Sequence, residues 1–232
     1  MIICFEGIDG CGKSSQARFL ADRLRARFWK FPNNETITGK LLYAHLEGHA
    51  KLEWQIPLSA DGSLEKGDVQ AVLDARARYM AAVPQADALM FQALQLANRM
   101  ECAGEIFEAA AKGSVVFDRY WPSGFAYGRA DGLDGAYLEK LHAWLPQPDL
   151  FLLLDIDLED SMERRPARRD RYEKDGEKLR QVTKFYRELW AAKAAGQPTR
   201  RWRIIDGRQS VAEVTAAVEQ AVADLKTDAI TF

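Results

Sequence analysis

Cysteines and long apolar runs are scarce in this sequence. Its three cysteines, Cys4, Cys11 and Cys102, follow no metal-ligand spacing, and so sparse and odd a count is typical of proteins kept in a reducing compartment. Glu6 and Asp9 interrupt the apolar N-terminus, which argues against a signal peptide. No stretch approaches the roughly 18 apolar residues that a membrane helix needs. We therefore expect a cytoplasmic protein that has no membrane partner.

An excess of charge of one sign is also lacking. The chain carries 32 basic and 34 acidic residues, for a formal net charge of −2. A generally basic surface for nucleic acid is therefore not implied, and we expect no nucleic-acid partner. The 232 residues are enough for one domain with a full core, so we predict a single domain over residues 1–232.

Apolar segments alternate with helical patterns along the chain. Strands are predicted at residues 2–6, 28–31, 114–118, 149–155 and 201–206. Several are continuously apolar, as strands covered on both faces are. Helices are predicted at 13–27, 36–47, 86–112, 132–143, 156–165, 176–195 and 209–225. This order predicts an α/β fold with three αβα layers and about five parallel strands. Residues 48–85 predict an insertion, with some helix around 68–82.

The segment "GIDGCGKS" (7–14) fits the phosphate-binding pattern G-x-x-x-x-G-K-[ST], between a predicted strand and a predicted helix. Its glycines let the backbone wrap an anion, and the helix adds the positive end of its dipole. A guanine-reading N/T-K-x-D motif is absent. The pattern predicts a P-loop NTPase-like fold whose ATP site comprises Gly7, Asp9, Gly10, Cys11, Gly12, Lys13, Ser14 and Ser15.

Three further groups are candidates for phosphoryl-transfer chemistry. Lys13 would contact the β- and γ-phosphates, while Ser14 and Asp118, at the end of a predicted strand, would hold Mg²⁺. Arg119 would face the same crevice, where ligands of open α/β sheets bind. The segment "RRPARRDRYE" places five arginines within residues 164–171. It predicts an arginine-rich lid at about 164–175 that closes on the phosphates.

Six segments, in order along the chain, resemble the thymidylate kinase family of the nucleoside monophosphate kinase group. They are "FEGIDGCGKSSQ", "KFPNNETITGKLL", "LANRME", "DRYWPSGFAYG", "RRDRYE" and "IIDG". The resemblance implies the reaction ATP + dTMP ⇌ ADP + dTDP with Mg²⁺, in a homodimer. Because a monophosphate acceptor is already an anionic nucleophile, this reaction needs alignment and charge neutralisation more than a strong general base.

The resemblance also implies roles for individual residues. It implies that Arg99 contacts the base of the acceptor nucleotide, that Arg119 binds the acceptor's phosphate and that Asp9 lies near the acceptor's sugar. The whole dTMP site then comprises Asp9, Phe31, Pro32, Gln95, Asn98, Arg99, Arg119, Ser123 and Tyr127. Since Gly10 leaves the P-loop without an arginine, the resemblance implies that the lid supplies one. The implied catalytic set is Lys13, Asp118, Arg119, Arg168 and Arg171.

Three positions depart from the family pattern. Asn34 stands where some relatives carry an arginine, Gln95 where many carry a base-stacking phenylalanine, and Gly128 where many carry Gln or Thr. Phe91 lies one helical turn before Gln95 and two before Arg99, on one face. Phe91 could therefore supply the ring from a shifted position, or it could simply pack in the core.

Three other functions remain open from the sequence. One is a kinase for another or a modified deoxynucleoside monophosphate. Another is a deoxynucleoside kinase, which would need a base for a neutral hydroxyl, with Glu35 as the candidate. The last is a P-loop nucleic-acid-binding or regulatory ATPase, against which the short length and acidic balance argue.

Overall fold

The computed structural model describes residues 1–46, 74, 78, 81–83, 85–164, 175–195 and 201–230. The strands are β1 (Ile2–Glu6), β2 (Arg27–Lys30), β3 (Val115–Asp118), β4 (Leu150–Asp155) and β5 (Trp202–Asp206). The helices within these residues are α1 (Lys13–Leu24), α2 (Ile37–Leu46), α3 (Ala86–Lys112), α4 (Trp121–Ala130), α5 (Gly135–Leu141), α6 (Leu158–Glu163), α7 (Gly176–Ala195) and α8 (Val211–Ile230).

The five strands form one all-parallel sheet in the order β2-β3-β1-β4-β5. This confirms the predicted fold class, and each predicted strand agrees with the structure to within one residue. The central strands β1 and β3 are buried along their whole length, whereas the edge strands β2 and β5 are partly exposed. The continuous apolar runs therefore mark the strands that helices cover on both faces.

The sheet register brings the functional segments together. β1 pairs with β3 so that Phe5 lies beside Asp118, and β1 pairs on its other side with β4. Since the carboxyl ends of parallel strands meet at one edge, the loop after β1 and the turn after β3 are neighbours. The P-loop thus lies directly beside the segment that begins with Asp118 and Arg119.

Helix boundaries differ from the predictions where turns or caps intervene. α1 ends at Leu24, short of the predicted 27, because Arg25 adopts a left-handed conformation (φ 49°) that turns the chain into β2. α5 begins at Gly135, later than the predicted 132, because the Asp134 side chain accepts a hydrogen bond from the Tyr137 backbone and caps the helix. α8 continues to Ile230, beyond the predicted 225.

Helix α4 was not predicted. Its sequence "WPSGFAYGRA" contains a proline and two glycines, which lower intrinsic helix propensity. The proline lies in the first turn, where it is tolerated. Seven of the ten residues are buried, and the helix packs on α7, α5 and α3. Tertiary packing therefore stabilises a helix that local sequence does not favour.

Two predicted segments lie mostly outside the described residues. In the predicted insertion, only residues 74, 78, 81–83 and 85 are described, and 74, 78, 81 and 82 are helical. In the predicted lid, only Arg164 and Asp175 are described. Of the helices seen in the described ranges, none combines the length and apolar character needed to cross a bilayer.

An aromatic cluster joins α7 to the edge of the sheet. The ring of Trp202 on β5 stacks on Phe151 of β4 at 3.9 Å between centroids. Trp190 of α7 packs edge-on against Trp202 at 4.7 Å, and its Nε1 donates a hydrogen bond to the Arg203 carbonyl at 3.0 Å. Trp190 is 1% exposed. Its indole therefore fills the space between helix and sheet.

We expect Trp190→Ala to lower the free energy of unfolding by about 3–5 kcal/mol, because it leaves a large cavity in the core. Urea denaturation followed by circular dichroism measures this loss. Trp144→Ala is the matched control, since Trp144 is 91% exposed and its removal should change stability by no more than about 0.5 kcal/mol. Equal effects of the two substitutions would contradict this account of the core.

Candidate active site

The P-loop turns tightly between β1 and α1. Gly7, Gly10 and Gly12 have φ values of 137°, 80° and 88°, in the region that favours glycine. A Cβ at Gly7 would lie only 2.5 Å from the Leu154 carbonyl of β4, so no side chain fits there. Gly12 immediately precedes α1 and sets the direction in which that helix begins. Cys11 is buried, and Ser15 is exposed on the first turn of α1.

One carboxylate oxygen joins the P-loop to the turn after β3. Asp9 Oδ1 accepts a hydrogen bond from Lys13 Nζ at 2.8 Å and from Arg119 Nη2 at 2.7 Å. Lys13 is 4% exposed and also donates to the Ile8 carbonyl at 3.3 Å. Lys13, predicted to contact the phosphates of ATP, and Arg119, predicted to contact the acceptor's phosphate, therefore lie on either side of one carboxylate.

Ser14 and Asp118 form an oxygen-rich pair at the base of the P-loop. Ser14 Oγ donates to Asp118 Oδ2 at 2.6 Å. Asp118 is fully buried, and its Oδ1 has no hydrogen-bond partner among the described residues. Mg²⁺ prefers hard oxygen ligands, and it commonly binds through one or two protein groups together with phosphates and water. The hydroxyl and the unpaired carboxylate oxygen fit such an ion.

Arg119 is held in a strained backbone conformation with its guanidinium directed by several groups. Its φ of 67° is unusual for a residue other than glycine, and such strain tends to occur at functional sites. Nη1 donates to Ser123 Oγ at 3.2 Å and to Tyr186 Oη at 3.4 Å. Burial by itself would lower the pKa of Arg119, but the Asp9 charge raises it above its usual value. Arg119 is thus a fixed, fully ionised cation.

Glu6, the last residue of β1, was not predicted as a site residue. It is completely buried and accepts hydrogen bonds from the Tyr120 backbone, Ser123 Oγ and Tyr186 Oη at 2.7, 2.6 and 2.9 Å. Burial raises the pKa of Glu6, and the hydrogen bond from Ser123 and the charge of Arg119 oppose that rise. The signal was an acidic residue closing an otherwise apolar strand.

A cavity of about 260 Å³ opens beside the P-loop between α3, α4 and the segment after β2. Of the predicted acceptor-site residues, the cavity is lined by Asp9, Phe31, Pro32, Gln95, Arg99, Arg119, Ser123 and Tyr127. Phe91 also lines it while packing against Leu42, so this ring serves both the core and the pocket. Tyr43 and Gln92, which were not predicted as site residues, also line the cavity.

Arg99 is buried in the pocket wall, where it is 1% exposed. Its Nη1 and Nη2 donate to the carbonyls of Gln95 and Tyr120, both at 2.8 Å. The guanidinium carbon lies 6.0 Å from the centroid of the Phe31 ring. Burial lowers the pKa of Arg99 to about 10, so the side chain is still a cation at neutral pH.

Asn98 does not line the cavity but fixes the loop that does. Its Oδ1 accepts from the Asn33 backbone at 2.8 Å, and its Nδ2 donates to the Asn33 carbonyl at 3.0 Å and to Thr36 Oγ1 at 2.7 Å. This completely buried amide anchors the chain directly after Phe31 and Pro32. Its position indicates a structural contribution to the pocket through that loop.

The remaining candidates lie away from the cavity or outside the described residues. Glu35 is exposed and does not line the cavity, which disfavours it as a catalytic base. Arg164, at the start of the predicted lid, donates to the Gly207 carbonyl at 2.7 Å. Arg168 and Arg171 lie outside the described residues.

Removing the Asn98 amide should loosen this loop. We expect Asn98→Ala to lower the free energy of unfolding by about 1–3 kcal/mol, because it deprives buried backbone groups of their partners. Thermal or urea unfolding measures the change. Asn34→Ala is a matched control, since Asn34 is exposed on the same loop. A stability loss no larger than that of the control would contradict the anchoring role.

The sequence of this chain is similar to those of known proteins of one family. The thymidylate kinase family model matches residues 5–58 and 76–218. A thymidylate kinase of Cupriavidus necator is 33% identical over 230 residues, covering 96% of this chain and 98% of the relative. A probable thymidylate kinase of Methanococcus maripaludis is 28% identical over 230 residues, covering 98% of both chains.

A solved structure of thymidylate kinase from Candida albicans has the same fold, with a TM-score of 0.71 and 24% identity. The match covers 97% of this chain and 92% of that one. The family model and the curated relatives extend over the P-loop, the segment that carries Arg99 and the turn that carries Arg119. The chain belongs to the thymidylate kinase family of ATP-dependent nucleotide kinases.

Proposed function

We propose that this protein transfers the γ-phosphoryl group of ATP to dTMP, forming ADP and dTDP. The observation that carries the proposal is the Asp9 carboxylate shared by Lys13 and Arg119 at 2.8 and 2.7 Å. It places the cation of the P-loop next to the cation of the acceptor pocket. A donor phosphate and an acceptor phosphate bound to these two cations would therefore be neighbours, as direct transfer requires.

The donor site consists of the P-loop and the oxygen pair beneath it. Backbone N–H groups of the loop would surround the phosphates of ATP, and Lys13 would neutralise the β- and γ-phosphates. Ser14 and Asp118 would hold Mg²⁺, and the ion, when bound, supplies further charge neutralisation on these phosphates. Gly7, Gly10, Cys11, Gly12 and Ser15 complete this proposed site.

The acceptor site is the cavity beside the loop. Arg119 would bind the phosphate of dTMP, and its hydrogen bonds to Ser123 and Tyr186 direct it. Among the described residues Arg99 donates to two carbonyls, which uses two of its five N–H groups and leaves three for a ligand. Those donors suit the O4 carbonyl of thymine better than the amino group that cytosine carries at the same position.

Arginines of the predicted lid complete the proposed mechanism. Arg168 and Arg171 would close over the transferring phosphoryl group, where cationic side chains stabilise developing charge. Gly10 in the P-loop supports this proposal, since the loop itself supplies no arginine. With charge neutralised from both sides, the reaction depends on alignment and exclusion of water more than on proton removal.

We also propose that the protein forms a homodimer through α3. Met100 and Phe107 lie seven residues apart on one face of this helix and are 60% and 58% exposed. Two large apolar side chains exposed on one helical face suit an interface with a second copy. A cytoplasmic location and a single domain over residues 1–232 remain predictions from the sequence.

The acceptor preference is tested by measuring kcat/KM with saturating ATP for dTMP, dUMP, dCMP, dGMP, 5-hydroxymethyl-dUMP and thymidine. We expect dTMP to be preferred over dCMP by roughly tenfold to more than a hundredfold, because cytosine would leave a charged donor unpaired. A preference for dCMP or dGMP would contradict the proposed acceptor. Phosphorylation of thymidine but not dTMP would indicate a nucleoside kinase instead.

Lys13→Ala and Arg119→Ala should each lower kcat/KM by about 100- to 1,000-fold, because each removes a cation from the reacting phosphates. Circular dichroism would verify that each variant is folded. Lys112→Ala and Arg23→Ala are matched controls, since both side chains are exposed and neither lines the cavity. A folded Lys13 or Arg119 variant that keeps more than about a tenth of wild-type activity would contradict its assigned role.

A further inference from the structure

Gln92 lies on α3 in the wall of the acceptor pocket and has 0% of its surface exposed. Neither its Oε1 nor its Nε2 has a hydrogen-bond partner among the described residues. Buried side-chain polar groups in folded proteins are paired in the large majority of cases. An unpaired amide in the wall of a ligand pocket therefore points to a ligand that completes its hydrogen bonding.

Two glycines of α4 provide the space that this amide occupies. A Cβ at Gly124 would lie 3.1 Å from Gln92 Oε1, and a Cβ at Gly128 would lie 3.1 Å from Gln92 Nε2. Most side chains at either position would press on the amide. The close approach of α4 to Gln92 thus depends on the same two glycines that weaken the intrinsic helicity of α4.

A second unpaired group borders the same space. His142 Nε2 lies 3.3 Å from the position that a Cβ at Gly124 would take, and it also lacks a hydrogen-bond partner within the described chain. His142 Nδ1 is 2.8 Å from the Leu138 carbonyl. Burial lowers the pKa of His142 to about 3, so the ring is neutral at physiological pH. The unpaired polar atoms of Gln92 and His142 therefore cluster around Gly124, which itself lines the cavity.

We propose that Gln92 hydrogen-bonds the polar edge of the acceptor's base, as a specificity-determining residue. This inference rests on the proposed function. The thymine ring presents N3–H beside a carbonyl, and a carboxamide presents a carbonyl beside N–H, so the two edges form a complementary pair. A half-turn of the amide exchanges its donor and acceptor. Gln92 thus favours a base with a hydrogen-bonding edge, while the choice of thymine over cytosine depends on Arg99.

Gln92→Leu separates a ligand contact from a structural role. We expect the KM for dTMP to rise about tenfold or more, as the loss of two hydrogen bonds predicts. We expect kcat to stay within about threefold and the KM for ATP to be unchanged, because the base lies away from the reacting phosphates. The urea midpoint should be unchanged or higher, since an unpaired buried amide is replaced by an apolar group.

An acceptor methylated at N3 provides the direct probe. Wild-type protein should prefer dTMP to 3-methyl-dTMP, and Gln92→Leu should reduce that preference about tenfold, because the variant has no amide to pair with N3–H. Gln220→Leu is the matched control: Gln220 is an exposed glutamine on α8, and its replacement should leave every kinetic constant unchanged. Gln92→Met, which keeps an unbranched side chain, repeats the measurement with a different apolar shape.

Each outcome decides the proposal. An unchanged KM for dTMP, or an unchanged preference over 3-methyl-dTMP, would overturn the role of Gln92 while leaving the proposed reaction intact. Marked destabilisation or misfolding of both variants would also overturn it, since it would mean that the amide serves the fold, for example through His142. Absence of dTMP phosphorylation by the wild-type protein would instead contradict the proposed function.

Discussion

The buried carboxylate of Glu6 is the interaction on which the rest of the site depends. It lies at the end of the central strand and accepts hydrogen bonds from the Tyr120 backbone, Ser123 and Tyr186. An ionised carboxylate removed from water is costly unless such partners surround it. Its hydrogen bonds therefore hold the turn after β3, the first turn of α4 and the middle of α7 together. Arg119 donates to the same two hydroxyl groups, those of Ser123 and Tyr186. Its position therefore depends on the position of Glu6.

Around this anchor, the cations of the site are arranged against one shared charge. Asp9 accepts from both Lys13 and Arg119, so these two cations lie side by side. Two buried like charges would otherwise repel each other strongly, because the local dielectric constant is low. The carboxylate thus stabilises a preorganised pair of cations, and the proposed phosphoryl transfer would use such a pair for electrostatic stabilisation.

The proposed acceptor pocket depends on two glycines of α4 and on the buried amide of Asn98. Gly124 and Gly128 let α4 approach Gln92 on α3, and Asn98, also on α3, anchors the loop after Phe31. The pocket wall is therefore built from two helices and a loop whose separation is set by side chains that do not all touch the cavity. Gly128 stands where many members of the family carry Gln or Thr, and in the structure it makes room for an amide from the neighbouring helix.

Local sequence by itself determined the strands, the P-loop and most helices, because apolar runs, glycine spacing and helical periodicity act over short distances. It could also place Asp118 and Arg119 at the edge of the sheet where the P-loop lies, since parallel strands bring their carboxyl ends together. Only the tertiary structure decided that α4 is a helix, that Glu6 is a buried anchor and that Gln92 borders the pocket. Each of these depends on contacts between residues far apart in the chain. A local signal, such as the acidic residue that ends the apolar strand β1, marks a position but does not identify its distant partners.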